Sequence, residues 1–411
     1  MPRAARSACL ALTLSALTAF TALIAMPLHA QSPAAVTVNP IRIGLIFPLT
    51  GGSADMGSSA RIGAQAAVNE INKVGGYLGK PLELVIRDDE ASPDIGLKQA
   101  QDLVLKEKVT ATIGFCNSGV AMKALDLFQA NKHILMVPCA TGTAITAKYP
   151  PAESYIFRIA ARDQLQTQFL IDEVVKRGLT KVALLVDGSG YGDAGLKDLE
   201  AALAKANLKP HAVIRFKVGV KSLDDEMKQL KDSGADALIG WTVGPEQGVI
   251  AASRARINWK VPQFGPWGLS HASAFTGSGG KVEGTMMVQT ILPNVFSERN
   301  STFLRSYSAI AKEPLIGSVM SAAQTYDAVH VLLRAIFDSK GNLTGPALKT
   351  ALENQSATYR GVVTTYEKPF SASDHDAISA NMLWLGTWRD QQRAYFYKED
   401  AKLATLIRRK Q

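Results

Sequence analysis

IRIGLIFPLTGGSADMGSSARIGAQAAVNEINKVGGYLGKPLELVIRDDE, residues 41–90, is the stretch whose pattern decides the fold. IRIGLIF (Ile41–Phe47) reads as a buried strand. After a Gly-rich turn, Ile62, Ala66, Ala67 and Ile71 recur at helical spacing within residues 60–74, and Gly75 and Gly76 supply the helix stop. LELVIRD (Leu82–Asp88) reads as the next strand. Strand, helix and strand in this order form a βαβ unit, whose crossover helix makes the two strands parallel.

The same rhythm continues outward. A helix is expected over 94–106, a strand over 111–114, a helix over 120–131 and a strand over 133–137, stopped by Pro138. It restarts after Arg158, with helices expected over 164–176, 193–207, 223–232 and 245–256 and strands over 181–186, 212–216 and 235–240, up to the Pro/Gly-rich VPQFGPWG at 261–268. Helical patterns return over 301–311 and 319–337, and 361–366 and 382–388 read as strand. No fixed-period repeat or low-complexity linker separates the halves. The expectation is therefore an α/β protein of two doubly wound parallel-sheet lobes that exchange chain segments.

The composition supports an ordinary folded body. The chain has 411 residues, 47% hydrophobic and 20% charged, which excludes a disordered tail and a polytopic membrane protein. The formal charge of +9 is spread along the chain without the clustered basic stripe that nucleic-acid binding needs, so no nucleic-acid partner is expected. Arg3 and Arg6 precede an almost uncharged run over 8–28, and Leu28, His29 and Ala30 resemble a cleavage site. Residues 1–30 thus read as a secretory signal peptide, with an uncleaved anchor as the alternative. Cys116 and Cys139 each follow an expected strand, and both a bond between them and two separate buried thiols remain open. No CxxC motif or Cys/His cluster has metal-ligand spacing, and no metal or cofactor is expected.

In open parallel sheets, ligands bind beyond the carboxyl ends of the strands, where turns and helix N-termini present unpaired N–H groups. Three such turns are small and hydroxyl-rich: PLTGGSADMG (48–57), FCNSG (115–119) and PCATGT (138–143). Ser118, Thr141 and Thr143 suit either carboxylate binding or helix capping. DGSGYGDAG (187–195) lacks the third Gly or Ala of a dinucleotide loop, because Asp193 stands there. The sequence has neither HExxH nor GxSxG, so catalytic constellations are thin. Asp88, Asp89 and Glu90 form an acidic strand end that suits a solvated cap better than a cation site.

Together IRIGLIFPLTGG, AVNEINKVGGYLGKPLELVIRDDE, IGFCNSG and MVPCATGT resemble the type I periplasmic solute-binding proteins of the branched-chain (hydrophobic) amino-acid ABC importer family. The resemblance implies two lobes joined by a multi-strand hinge, with a first lobe of 36–158 plus 290–363 and a second of 159–289 plus 364–411. It implies a non-enzymatic, periplasmic, monomeric protein that holds a small carboxylate or amino acid between the lobes and delivers it to a membrane ABC permease. The family's carboxylate-holding hydroxyls map onto Ser118 and Thr141, with the backbone at Cys139 nearby. Tyr191, Trp241 and Trp267 would line the second-lobe side and Met56 the first. The family's amino-acid binders carry an acid in a GPEG-like segment, where this chain has Gly265, Pro266, Trp267 and Gly268. That departure favours a hydrophobic or aromatic carboxylate over an ordinary amino acid. Glu246 is a candidate partner for an ammonium group or, equally, a helix cap. A conventional Leu/Ile/Val-binding protein is the first alternative, and an exported sensor or enzyme on the same fold is the second.

Overall fold

The computed structural model describes residues 39–312 and 315–411; the signal-peptide reading over 1–30 lies outside them. Strand β1 (Ile41–Phe47), buried along nearly its whole length, lies inside the first sheet. Helix α1 (Ala54–Lys73) follows, starting earlier than the apolar spacing indicated because the turn before it is short. Next come β2 (Leu82–Asp88), α2 (Pro93–Gln101), β3 (Ala111–Gly114), α3 (Ser118–Ala130), β4 (Leu135–Val137), α4 (Ala144–Ala147) and β5 (Ile156–Arg158). The five strands form an all-parallel sheet of order β2-β1-β3-β4-β5.

The second half continues with α5 (Asp163–Lys176), β6 (Val182–Asp187), α6 (Gly190–Lys205), β7 (Ala212–Phe216), α7 (Asp224–Asp232), β8 (Ala237–Trp241), α8 (Gly244–Arg256), β9 (Gln263–Gly265), α9 (Ala272–Gly277) and β10 (Met286–Gln289). Then follow α10 (Glu298–Ser308), α11 (Val319–Asp338), α12 (Gly345–Glu353), the short hairpin β11 (Tyr359–Arg360) and β12 (Thr365–Tyr366), β13 (Trp384–Arg389), β14 (Gln392–Tyr395) and α13 (Asp400–Leu403). The second sheet has order β14-β13-β10-β9-β8-β6-β7. Its β6 to β10 are parallel, and β13 and β14 join it antiparallel.

Each sheet is covered on both faces, which is why its inner strands β1, β3, β6 and β8 are buried along nearly their whole length rather than alternating. Residues of α1, α11 and α12 pack on one face of the first sheet, and those of α2 and α3 on the other. Helices α1 and α11 come so close that a Cβ at Gly63 would lie 2.1 Å from the Ala322 carbonyl oxygen. Helices α5 and α6 cover one face of the second sheet, α7 and α8 the other.

The chain passes between the cores three times: from Ile159 to Ala161, from Val288 to Ile291, and from Ala377 to Ile378. The last passage falls later than the sequence-based boundary at 363/364, because Tyr366, Phe370 and Ala377 still pack in the first core. Residues 361–366 are likewise not one strand. The Val362 and Val363 amides donate to the buried Asp327 carboxylate at 2.8 Å instead of to a neighbouring strand. No helix among the described residues is long and apolar enough to cross a membrane.

Candidate functional site

A cavity of about 590 Å³ lies between the two lobes, at the carboxyl ends of the parallel strands. Its walls include first-turn residues of α1, α2, α3, α6 and α8, so helix N-termini from both lobes face it. Such ends carry unpaired N–H groups and a partial positive charge, both favourable to an anion. From the first lobe come Met56, Asn117, Ser118 and Thr141; from the second come Tyr191, Thr242, Glu246, Trp267 and His271.

Ser118 opens α3 and is buried, and its hydroxyl oxygen accepts the Gly142 N–H at 3.0 Å. A hydroxyl has a single O–H to donate, and this bond leaves that donor free for a ligand. The Thr141 carbonyl accepts from the Asp163 amide at 2.8 Å and from Arg158 Nη1 at 3.0 Å, which holds the turn after β4 in place. The Thr141 side chain interacts with both the Asp163 carboxyl and the Tyr191 phenol. Two hydroxyls from separate turns therefore line the same cavity.

Met56, Ser118, Thr141, Tyr191 and Trp267 line this single cavity; Cys139 and Trp241 do not. The backbone beyond β4 stays against the first sheet, with the Ala140 amide bonded to the Phe115 carbonyl at 2.9 Å. Cys139 consequently sinks into the first core, and the turn reaches the cavity only at Thr141. Both thiols are free and buried, and Cys116, not Cys139, touches the cavity. Burial first, and then the neighbouring Cys139, push the Cys116 thiol well above its ordinary range, so it is a neutral apolar surface.

Trp241 ends β8 and is fully buried in the second core. Its ring occupies the space left at Gly195, where a Cβ would lie 2.0 Å from Nε1, and backs the Tyr191 ring at 5.9 Å between centroids. Side chains at successive positions point to opposite sides of an extended chain, so it is Thr242 that faces the cavity. There the Thr242 hydroxyl donates to Asp187 Oδ2 at 2.7 Å, while Asp187 Oδ1 accepts from the Ser189 amide at 2.9 Å. Trp267 is buried and meets the His271 ring edge-on at 4.9 Å.

His271 was not found from sequence. It sits beyond the Trp267 turn, and no motif marks it. Burial lowers its pKa, and the nearby Arg393 charge adds to this, outweighing the opposing Asp55, so the ring is neutral near pH 7. Asn117 and Thr242 were missed as well, although both lie just beyond strand ends, where the rule that selected Ser118 and Thr141 applies.

Asp163 is expected to give the site a pH dependence. Burial pushes its pKa up to about 7; the interaction with Thr141 and the Arg158 charge work against that rise, and Asp198 adds to it. Because the folded pKa is raised, the associated stability is complete below the unfolded value near 4 and is lost as pH climbs through about 7. A carboxylate bound at Thr141 meets a neutral Asp163 at low pH and an anion at high pH. Affinity for a carboxylate is therefore expected to fall between pH 6 and pH 8, and Asp163→Asn to flatten that slope in a titration series. An unchanged slope in the variant would remove Asp163 as its cause.

Similarity to known proteins agrees with this geometry. Residues 40–393 match the family model described as periplasmic binding protein. The leucine-, isoleucine-, valine-, threonine-, and alanine-binding protein of Pseudomonas aeruginosa is 25% identical over 315 residues, 76% of this chain and 82% of that protein. A Leu/Ile/Val-binding protein homolog of Brucella melitensis is 29% identical over 247 residues, 60% of this chain and 66% of that protein. Among solved structures, the branched-chain amino acid transporter substrate binding protein LivJ of Streptococcus pneumoniae, in complex with isoleucine, superposes with TM-score 0.76 at 24% identity. That match covers 86% of this chain and 98% of the other. A solute binding protein of an ABC transporter from R. palustris, in complex with benzoate, gives TM-score 0.75 at 19% identity, covering 87% and 96%. With the family match running through both sheets and all three crossings, this chain belongs to the periplasmic binding protein family and has its type I fold.

Proposed function

We propose that this chain is the extracytoplasmic, periplasmic solute-binding component of an ABC importer. It captures a small hydrophobic or aromatic carboxylate between its lobes without turning it over and presents it, as a monomer, to a membrane permease. The observation that carries the reading is that the Ser118 and Thr141 hydroxyls and the α3 N-terminus line one cavity together with the Tyr191 and Trp267 rings. The hydroxyls and amides suit a carboxylate, and the rings suit an apolar body by area burial and stacking. The benzoate complex of a protein with the same fold is consistent with such a ligand.

A conventional branched-chain amino acid is the second reading, favoured by the Leu/Ile/Val specificity in the names of the relatives from Pseudomonas and Brucella. Calorimetric titration of ligand-stripped protein with a matched pair, phenylpropanoic acid and phenylalanine, separates the two. Binding of the deaminated acid alone is the expected result. Binding of the amino acid alone would replace the first reading by the second, and turnover of either compound would contradict capture.

A further inference from the structure

The second-lobe wall holds a carboxylate that is only half used. Glu246 is 4% exposed and lines the cavity. It does not cap α8, whose N-cap is Val243; its Oε1 instead accepts the Gly219 amide at 2.8 Å, from the loop between β7 and α7. That bond fixes the side chain, and Oε2 is buried without a hydrogen-bond partner. His271 on the same wall is 1% exposed, and both of its ring nitrogens lack hydrogen-bond partners as well. Leaving a carboxylate oxygen buried and unbonded is costly, and an uncompensated buried charge more so. Asp187, the other acid lining the cavity, already accepts on both oxygens, so of the two carboxylates that line it only Glu246 has an unmet oxygen.

We infer that the ligand carries, besides its carboxylate, an N–H or O–H donor that bonds Glu246 Oε2, and that Glu246 is the residue selecting for it. His271, neutral and with one ring N–H to give, lines the same cavity and offers a further donor and acceptor. This rests on the proposal that the carboxylate sits at Ser118 and Thr141. It relocates polar selection from the 265–268 turn, where Trp267 stands, to the start of α8. An ammonium and a hydroxyl share the donor chemistry, and the probes tell them apart.

Titrating the wild-type protein with benzoate, 4-hydroxybenzoate and phenylalanine gives the first readout. 4-Hydroxybenzoate is expected to bind at least tenfold more tightly than benzoate; if phenylalanine does so instead, the donor is an ammonium and the amino-acid reading replaces the first. In E246Q the Gly219 amide keeps the single acceptor oxygen and Nε2 faces the ligand, so the ratio of donor-bearing to donor-free affinity is expected to fall tenfold or more for an ammonium, which has no acceptor for Nε2, and severalfold for a hydroxyl, which exchanges a charge-assisted bond for a neutral one. Benzoate binding as tightly as both other probes, or an unchanged ratio in a folded E246Q protein, overturns the inference. S118A separates the two readings. If it weakens all probes alike while the ratio does not respond to E246Q, only the donor inference fails; if it weakens none, the carboxylate reading fails. Failure of all three probes to bind wild-type protein overturns both.

Discussion

Arg158→Met is expected to lower folding stability by about 3–5 kcal/mol, the usual consequence of removing one partner from a buried ion pair. The Arg158 side chain is fully buried at the end of β5. Its Nε donates to Asp376 Oδ1 at 2.6 Å, Nη1 to the Thr141 and Gly142 carbonyls at 3.0 and 2.8 Å, and Nη2 to the Thr146 hydroxyl at 2.7 Å. Methionine fills much of the volume but makes none of these bonds, and Asp376 is left buried, with Arg162 at 3.4 Å as its remaining cation.

The backbone couples the same residues. The Arg158 amide donates to the His375 carbonyl and the Ala377 amide to the Arg158 carbonyl, each at 2.8 Å, so this pairing lies where two of the three crossings leave the first lobe. Burial alone would raise the Asp376 pKa; the Arg158 charge and hydrogen bond more than offset it and hold the group below the ordinary range. A lowered folded pKa contributes stability above the unfolded value near 4, lost as pH falls through the folded one. The variant is therefore expected to unfold at a higher pH on the acid side as well. Urea denaturation followed by circular dichroism measures the loss, and a change under about 1 kcal/mol would show that the pair contributes little.

Ser118→Ala and Thr141→Ala are each expected to weaken carboxylate binding by about 1–3 kcal/mol, roughly 5- to 150-fold, as loss of a charge-assisted hydrogen bond does. The double variant should exceed either single one, though not by simple addition, because both groups address the same ligand end. Stability is expected to respond differently. Ser118 Oγ accepts the Gly142 amide, so Ser118→Ala also loosens the turn, whereas the Thr141 carbonyl bonds survive Thr141→Ala. Isothermal titration gives the affinities and thermal melts the stabilities. Unchanged titration curves for both single variants would exclude this wall as the carboxylate site.

Much of this was readable along the chain because the βα rhythm is local. A buried strand must be apolar on both faces, its helix must repeat near 3.6 residues, and parallel pairing sends every post-strand turn to one edge. Met56, Ser118, Thr141, Tyr191 and Trp267 share one cavity for that reason: each lies in a turn or first helical turn beyond a strand or its Pro/Gly-rich end, and strand polarity gathers those positions at one cleft.

Other features depend on contacts that no local pattern records. Trp241 looked like a site residue by position, but a hole at Gly195, 46 residues earlier in the chain, draws its ring into the core. Glu246 had two equal readings until the loop bearing Gly219 supplied a donor to one of its oxygens and left the other bare. The antiparallel pairing of β13 with β10, and the Arg158–Asp376 bond across 218 residues, arise only when distant segments close on each other. The sequence by itself determined the parallel α/β lobes and the edge where the candidate cleft opens, because backbone geometry and apolar periodicity act over tens of residues. Tertiary structure alone decided which polar atoms at that edge are already bonded and which are left for a ligand, because hydrogen-bond satisfaction is a property of neighbours in space.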